Sequence, residues 1–138
     1  MASGFYMRIL EEMDVQEYIF KLHAEMCKVL AHPKRLKILN LLSEAGRPLS
    51  VGEISSKLDL RSSNVSQHLA LLRARHIVRA TKVGQQVFYQ MADARITEAI
   101  RLLRAVLIDS MRQEGEKANA FSSQEILYQN EEGNYGRG

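Results

Sequence analysis

From Val15 the apolar residues Val15, Ile19, Leu22, Met26, Val29 and Leu30 recur three or four positions apart, the spacing of one face of a helix. Asp14 precedes them as an N-cap, so a helix is predicted over 14–30. His32-Pro33 interrupts it, because the residue before proline avoids helical backbone, and Pro33 then opens a second helix to about Ala45. Gly46 ends that helix. Ser50 with Glu53 three residues on forms a capping box for a third, Val51 to Leu58, with Val51, Ile54 and Leu58 on one face. After Asp59-Leu60-Arg61 a fourth runs from about Ser62 to Arg75.

The period then shortens to two. Ile77–Val83 and Val87–Met91, separated by Gly84-Gln85-Gln86, predict a β-hairpin with a glycine-containing tip. From Ile96 the pattern Ile96, Ile100, Leu103, Leu107, Met111 marks a last long helix with a narrow apolar stripe. Arg95, Arg101 and Arg104 lie off that stripe, as on a helix that pairs with a partner helix. Beyond about Gln113 the chain turns polar and is expected to be largely disordered, with Ser122 and Glu125 able to cap a short helix through Ile126, Leu127 and Tyr128. The order describes a mainly α fold with a small β-hairpin, a winged helix-turn-helix with an extra helix at each end. The corresponding division is an N-terminal extension over 1–13, the folded domain over 14–112 and a polar tail over 113–138.

A chain of 138 residues with 46% hydrophobic and 25% charged residues supports one soluble domain with a core and excludes a disulfide scaffold. Its single Cys27 closes no internal disulfide. No apolar run reaches the roughly 18 residues of a membrane span, and the start, MASGFYMRILEEMD, lacks the pattern of a secretory leader. A cytoplasmic, reducing location is expected. The charge is unevenly placed. Between 57 and 82 six cations (Lys57, Arg61, Arg73, Arg75, Arg79, Lys82) face Asp59 alone for a net +5, so a chain of +3 leaves −2 elsewhere.

That basic segment contains Ser62-Ser-Asn-Val-Ser-Gln-His68. Val65, Leu69 and Leu72 share one side and must face inward, and the rest of the first two turns is small and hydrogen-bonding. A helix that reads DNA needs this arrangement: hydroxyl residues let the backbone approach phosphates, and Asn or Gln can bond adenine twice. Arg73 and Arg75, with Lys82 on the hairpin, would neutralise phosphates.

Here the sequence resembles the arsenic-repressor and metallothionein-repressor (ArsR/SmtB) group of winged-helix regulators over about residues 15–110. The resemblance rests on LAHPKRLKILNLL, LSVGEISSKLDL, NVSQHLALLR and VGQQVFYQM. It implies a homodimer joined by the first and last helices, with Leu22, Met26, Ile96, Ile100, Leu103 and Leu107 at the interface. It also implies a repressor on a roughly palindromic duplex operator, released by a chemical signal. DNA would be met by Arg61, Ser62, Ser63, Asn64, Ser66, Gln67, His68 and Arg73, with Lys82, Gln85 and Gln86 on the wing. Arg61 departs from the hydroxyl residue the group often has before this helix, so either Ser62 takes the cap or Arg61 adds a phosphate contact.

The group's metal and thiol sensors need ligands that are missing here. Leu49-Ser-Val-Gly-Glu53 holds no cysteine pair. On the last helix Asp93 is followed by Arg95, Val106 and Asp109 where further zinc ligands would stand. Asn40 replaces the first cysteine of the redox branch, and no cysteine follows residue 27. Neither a metal nor a cofactor is expected. His23 and Cys27, four apart on one helix face, are the residual metal or intersubunit-disulfide candidates. The simpler reading makes Cys27 a small buried hydrophobe, and His32 and His76 hinge and surface residues. Ser66 and His68 are two apart and cannot face each other, which leaves no basis for an enzyme. The alternative role is a protein-interaction module without specific DNA binding, although the helix at 62–75 shows polar rather than apolar anchors.

Overall fold

The computed structural model describes residues 2–12 and 14–115. Its elements are α1 (Ala2–Glu12), α2 (Val15–Leu30), α3 (Pro33–Ala45), β1 (Leu49–Ser50), α4 (Val51–Leu58), α5 (Ser62–Ala74), β2 (Val78–Val83), β3 (Gln86–Met91) and α6 (Ala94–Gln113). Two elements differ from expectation. The N-terminal extension forms α1, and Leu49–Ser50, read only as a helix start, pairs with β3 as a short strand. The expected tail, with its short helix near Ser122, falls outside the described residues from 116 on.

Local chemistry explains most boundaries. Asp14 Oδ1 accepts from the Gln16 amide at 3.2 Å and starts α2. His32 is extended, its Nδ1 accepts from the Lys34 amide at 3.1 Å, and Pro33 takes the first helical position of α3. Gly46 ends α3 at φ 66°, a left-handed backbone that costs glycine little. The Ser50 side chain receives the Glu53 amide at 3.2 Å while the Glu53 carboxylate receives the Ser50 amide at 3.3 Å, which completes the capping box. Ser55 donates to the Leu60 carbonyl across the turn. Asp93 caps α6, three residues before the first apolar residue of its stripe.

The sheet has the order β1-β3-β2, antiparallel throughout. Val83 faces Gln86 across the two-residue turn Gly84-Gln85, and Gly84 supplies the positive φ (61°) that such a turn needs.

Ile38, Leu39, Leu42, Leu49, Ile54, Leu58, Val65, Leu69, Leu72, Ile77 and Val78 form the core. Each lies on α3, α4, α5 or the sheet and its approach. Among the described residues α2 and α6 bury none fully. Met26, Val29, Leu30, Ile96 and Ile100 lean on the core from outside. Other large apolar residues of these helices are uncovered: on α2 Val15, Ile19, Phe20 and Leu22, and on α6 Leu102, Leu103, Val106 and Leu107. The stripe expected along α6 therefore divides. Ile96 and Ile100 pack on their own chain, whereas Leu103 is 73% exposed and Leu107 57%. Leu102 and Val106 widen the exposed part beyond the narrow seam expected. A helix of 20 residues spans about 30 Å at ~1.5 Å per residue, farther than the small core beneath it reaches.

The buried side of α5 and the cap of α4 set the expected effects of substitution. Leu69→Ala should cost about 2–5 kcal/mol and Ser50→Ala about 1 kcal/mol in urea unfolding. A Leu69→Ala loss no larger than that of Ser50→Ala would contradict the assigned core.

Candidate nucleic-acid interface

With Val65, Leu69 and Leu72 fully buried, helical geometry turns Ser62, Ser63, Ser66, Gln67 and Arg73 outward, and all five are exposed. The expected DNA-facing set is thus presented together on one outer face, with two exceptions. Asn64 and His68, one turn apart, are only half-exposed. His68 turns toward α3: its ring lies 4.8 Å from that of His32, and Arg35 reaches its Nδ1 at 3.5 Å. A guanidinium only donates, so Nδ1 is the acceptor. His68 braces the recognition helix instead of projecting freely from it.

Arg61 is extended and exposed at the start of α5, and its side chain caps nothing. Ser62 does not take the cap either. It is the first helical residue, and its hydroxyl bonds Ser55 Oγ at 3.3 Å. The first-turn amides of α5 therefore have no side-chain acceptor from the N-cap, in a region where a helix favours anionic ligands.

On the wing Lys82, Gln85 and Gln86 are exposed at and beside the tip. Arg75, grouped with the phosphate-neutralising cations on sequence grounds, is instead paired with Glu25 of α2 at 2.9 Å. That ion pair ties the recognition helix to α2. Arg79 lies opposite Gln90 in the hairpin, and its guanidinium donates to the Gln90 amide oxygen.

Sequence reasoning passed over Arg35. Its Nε donates to the Val29 carbonyl at 2.5 Å near the end of α2, while its NH1 meets His68 on α5. One side chain of α3 thus holds helices on both sides. The only sequence signal was a cation one residue after Pro33-Lys34, and no spacing rule connects residues 33 positions apart.

Asp93, the first of the would-be zinc-ligand positions of the last helix, is taken up by Arg95. It accepts from the Arg95 amide at 2.8 Å and its guanidinium at 2.7 Å. Those hydrogen bonds pull the Asp93 carboxyl down to about 2. Among the described residues no three His, Cys, Asp or Glu side chains gather in a metal-holding group. Cys27, expected as a buried hydrophobe, is exposed. It lies in an apolar groove with Leu30, Leu36, Leu103 and Leu107 that the chain itself leaves open. Among the described residues no helix is long and apolar enough to cross a membrane.

A polar helix face presented over a buried stripe, preceded by a capped helix and flanked by a hairpin with a lysine at its tip, defines a winged helix-turn-helix. Residues 32–80 match the family model described as bacterial regulatory protein, arsR family. An HTH-type transcriptional regulator of Mycobacterium tuberculosis, Rv0081, is 46% identical over 92 residues, spanning 66% of this chain and 79% of that one. Its crystal structure superposes with a TM-score of 0.63, covering 70% of this chain and 95% of the other. The transcriptional activator HlyU of Vibrio cholerae is 42% identical over 78 residues, 56% of this chain and 70% of its own. The transcriptional repressor PagR of Bacillus anthracis is 35% identical over 83 residues, 60% and 82% of the two chains. The chain belongs to the ArsR family of DNA-binding transcriptional regulators.

The His68 packing carries a pH dependence. Burial first, then the charges of His32, Arg35 and Lys34, push the His68 imidazole below its ordinary value of 6.5. The unfolded chain then binds a proton more readily than the folded one, so stability falls as pH drops below about 6.5 and is fully present above it. Thermal melts from pH 7.5 to 5.5 should show this decline, and His68→Gln should flatten it. An unchanged slope in the variant would remove His68 as its source.

Proposed function

We propose that this protein is a homodimeric, sequence-specific regulator that represses transcription by occupying a roughly palindromic duplex operator and is released by a chemical signal. The observation that carries the reading is the outer face of α5. Ser62, Ser63, Ser66 and Gln67 stand exposed over a fully buried inner stripe, with Arg61 and Arg73 beside them and Lys82 on the wing. Hydroxyl and amide groups there suit base edges and phosphates in a major groove, and the wing suits the adjacent backbone.

The dimer follows from what each chain leaves uncovered. Leu102, Leu103, Val106 and Leu107 on α6, with Ile19, Phe20 and Leu22 on α2, make an apolar surface that a second copy can close. A two-fold dimer presents two recognition helices, so it requires half-sites about 34 Å apart or a multiple of that spacing. The reading calls on no metal or cofactor for DNA binding. Repression arises where the occupied operator overlaps a promoter.

Selection of bound sequences from random duplex DNA, followed by binding of the chosen operator, tests this. Gln67→Ala should cost about 1–3 kcal/mol on that operator and relax the preference at one position, whereas Lys82→Ala should weaken all sequences alike and lower the salt slope by about 1. A uniform loss for both variants would refute the division between reading and positioning. Light scattering should give a dimer at micromolar concentration, and a monomer there would overturn the assembly.

A further inference from the structure

Away from α5 and the wing, a cleft of about 460 Å³ opens between α3 and α6. Small-molecule sites usually fall between about 300 and 1,000 Å³ and combine apolar walls with a few polar groups. Leu39, Ile100, Ala105 and Ile108 supply the apolar wall. Ser43 and Thr97 bridge the two helices at 3.0 Å. The Ser43 proton goes to the Leu39 carbonyl at 2.8 Å, so Thr97 must donate to Ser43, and this pair has no proton left for a guest.

The donor that remains is Arg104. It is half-buried on the wall, and its NH1 gives one hydrogen bond to Asn40 Oδ1 at 3.0 Å. Among the described residues it enters no ion pair, whereas its neighbour Arg101 is held by Glu98 through bonds of 2.9 and 2.6 Å. A guanidinium offers five N–H groups in a planar fork suited to a carboxylate. The single acid of the lining, Glu44, is exposed and receives the Asn40 amide at 3.4 Å. With Arg101 offset by Glu98, Arg104 is the cation of the lining that no carboxylate engages among the described residues.

Ile100 and Arg104 also line the groove that contains Cys27, Leu103 and Leu107. The same stretch of α6 is thus one wall of the cleft and one wall of the surface assigned to dimerisation. We propose that the cleft is a regulatory site for a small organic anion, a carboxylate head on Arg104 with an apolar body along Leu39, Ile100 and Ile108. Occupancy acts on DNA affinity through the position of α6, a step that rests on the dimeric regulator proposed above. A ligand shifts the balance of two dimer geometries only by as much as it prefers one of them.

Calorimetry on the full chain with octanoate, octanol and inorganic phosphate separates head from body. Octanoate should saturate one site per chain, while octanol and phosphate should bind at least about tenfold more weakly, because each lacks one half of the recognition. Arg104→Gln, and Ala105→Phe, which fills the cleft alone, should each weaken octanoate by about tenfold or more with circular dichroism unchanged. Octanoate should also change operator affinity in the native chain and not in Ala105→Phe. No saturable octanoate site, or affinity untouched by both variants, overturns the site while leaving DNA binding as proposed. Binding without a change in operator affinity overturns its regulatory role. Octanoate binding by a chain that fails to bind DNA overturns the function proposed above and leaves the cleft standing.

Discussion

The inner stripe of α5 is the constraint on which the rest depends. Val65, Leu69 and Leu72 are wholly buried among α3, α4 and the sheet. A helix that commits one side to a core has no freedom to rotate, because turning it by a single residue moves its apolar side chains about 100° away from the core. The outward direction of Ser62, Ser63, Ser66 and Gln67 is therefore a packing result. Side chains that meet a partner surface with specificity need to be held in place before the encounter, and the aliphatic packing of the inner side accomplishes this.

Around that core the charged contacts act as ties between helices. Arg35 reaches both the end of α2 and His68 of α5, and Arg75 of α5 meets Glu25 of α2. Both ion-pair partners in the latter are partly exposed, so the pair itself adds little stability. Its effect is geometric. The helix that carries part of the uncovered apolar surface is joined directly to the helix that carries the polar face, so in the dimer proposed above a change in how two chains meet would alter where their polar faces lie.

The elements legible in the sequence were those governed by local rules. Asp14, Pro33, Gly46 and the Ser50–Glu53 box each act within a few residues, and each marks the boundary where the spacing placed it. Long-range partners were not legible. His68 sits among polar residues and has the composition of an outer-face residue, yet its ring packs on His32. Arg75 belongs to a basic run, but Glu25 lies 50 residues earlier in the chain. β1 is too short for an alternating pattern to show, and α1 lies in a stretch read only for its lack of a leader. The α6 stripe was visible as a period. Which part of it the chain covers depends on the extent of a core that periodicity does not measure.

The two-residue strand β1 has a mechanical consequence. Leu49 pairs with Tyr89 and Ser50 with Phe88, and Ser50 is at the same time the cap of α4. The middle of β3 is thus stitched to the first turn of the helix that leads into α5, with the buried Leu49 and Val78 on the inner side. Two prongs joined this way behave as a caliper with a set opening. Beyond Phe88 the hairpin is held by its own β2–β3 pairs alone, as far as Val83 opposite Gln86. On the DNA-binding reading proposed above, a duplex held by both prongs would supply most of the adjustment in groove width itself, and its stiffness between contact points would become part of what is selected.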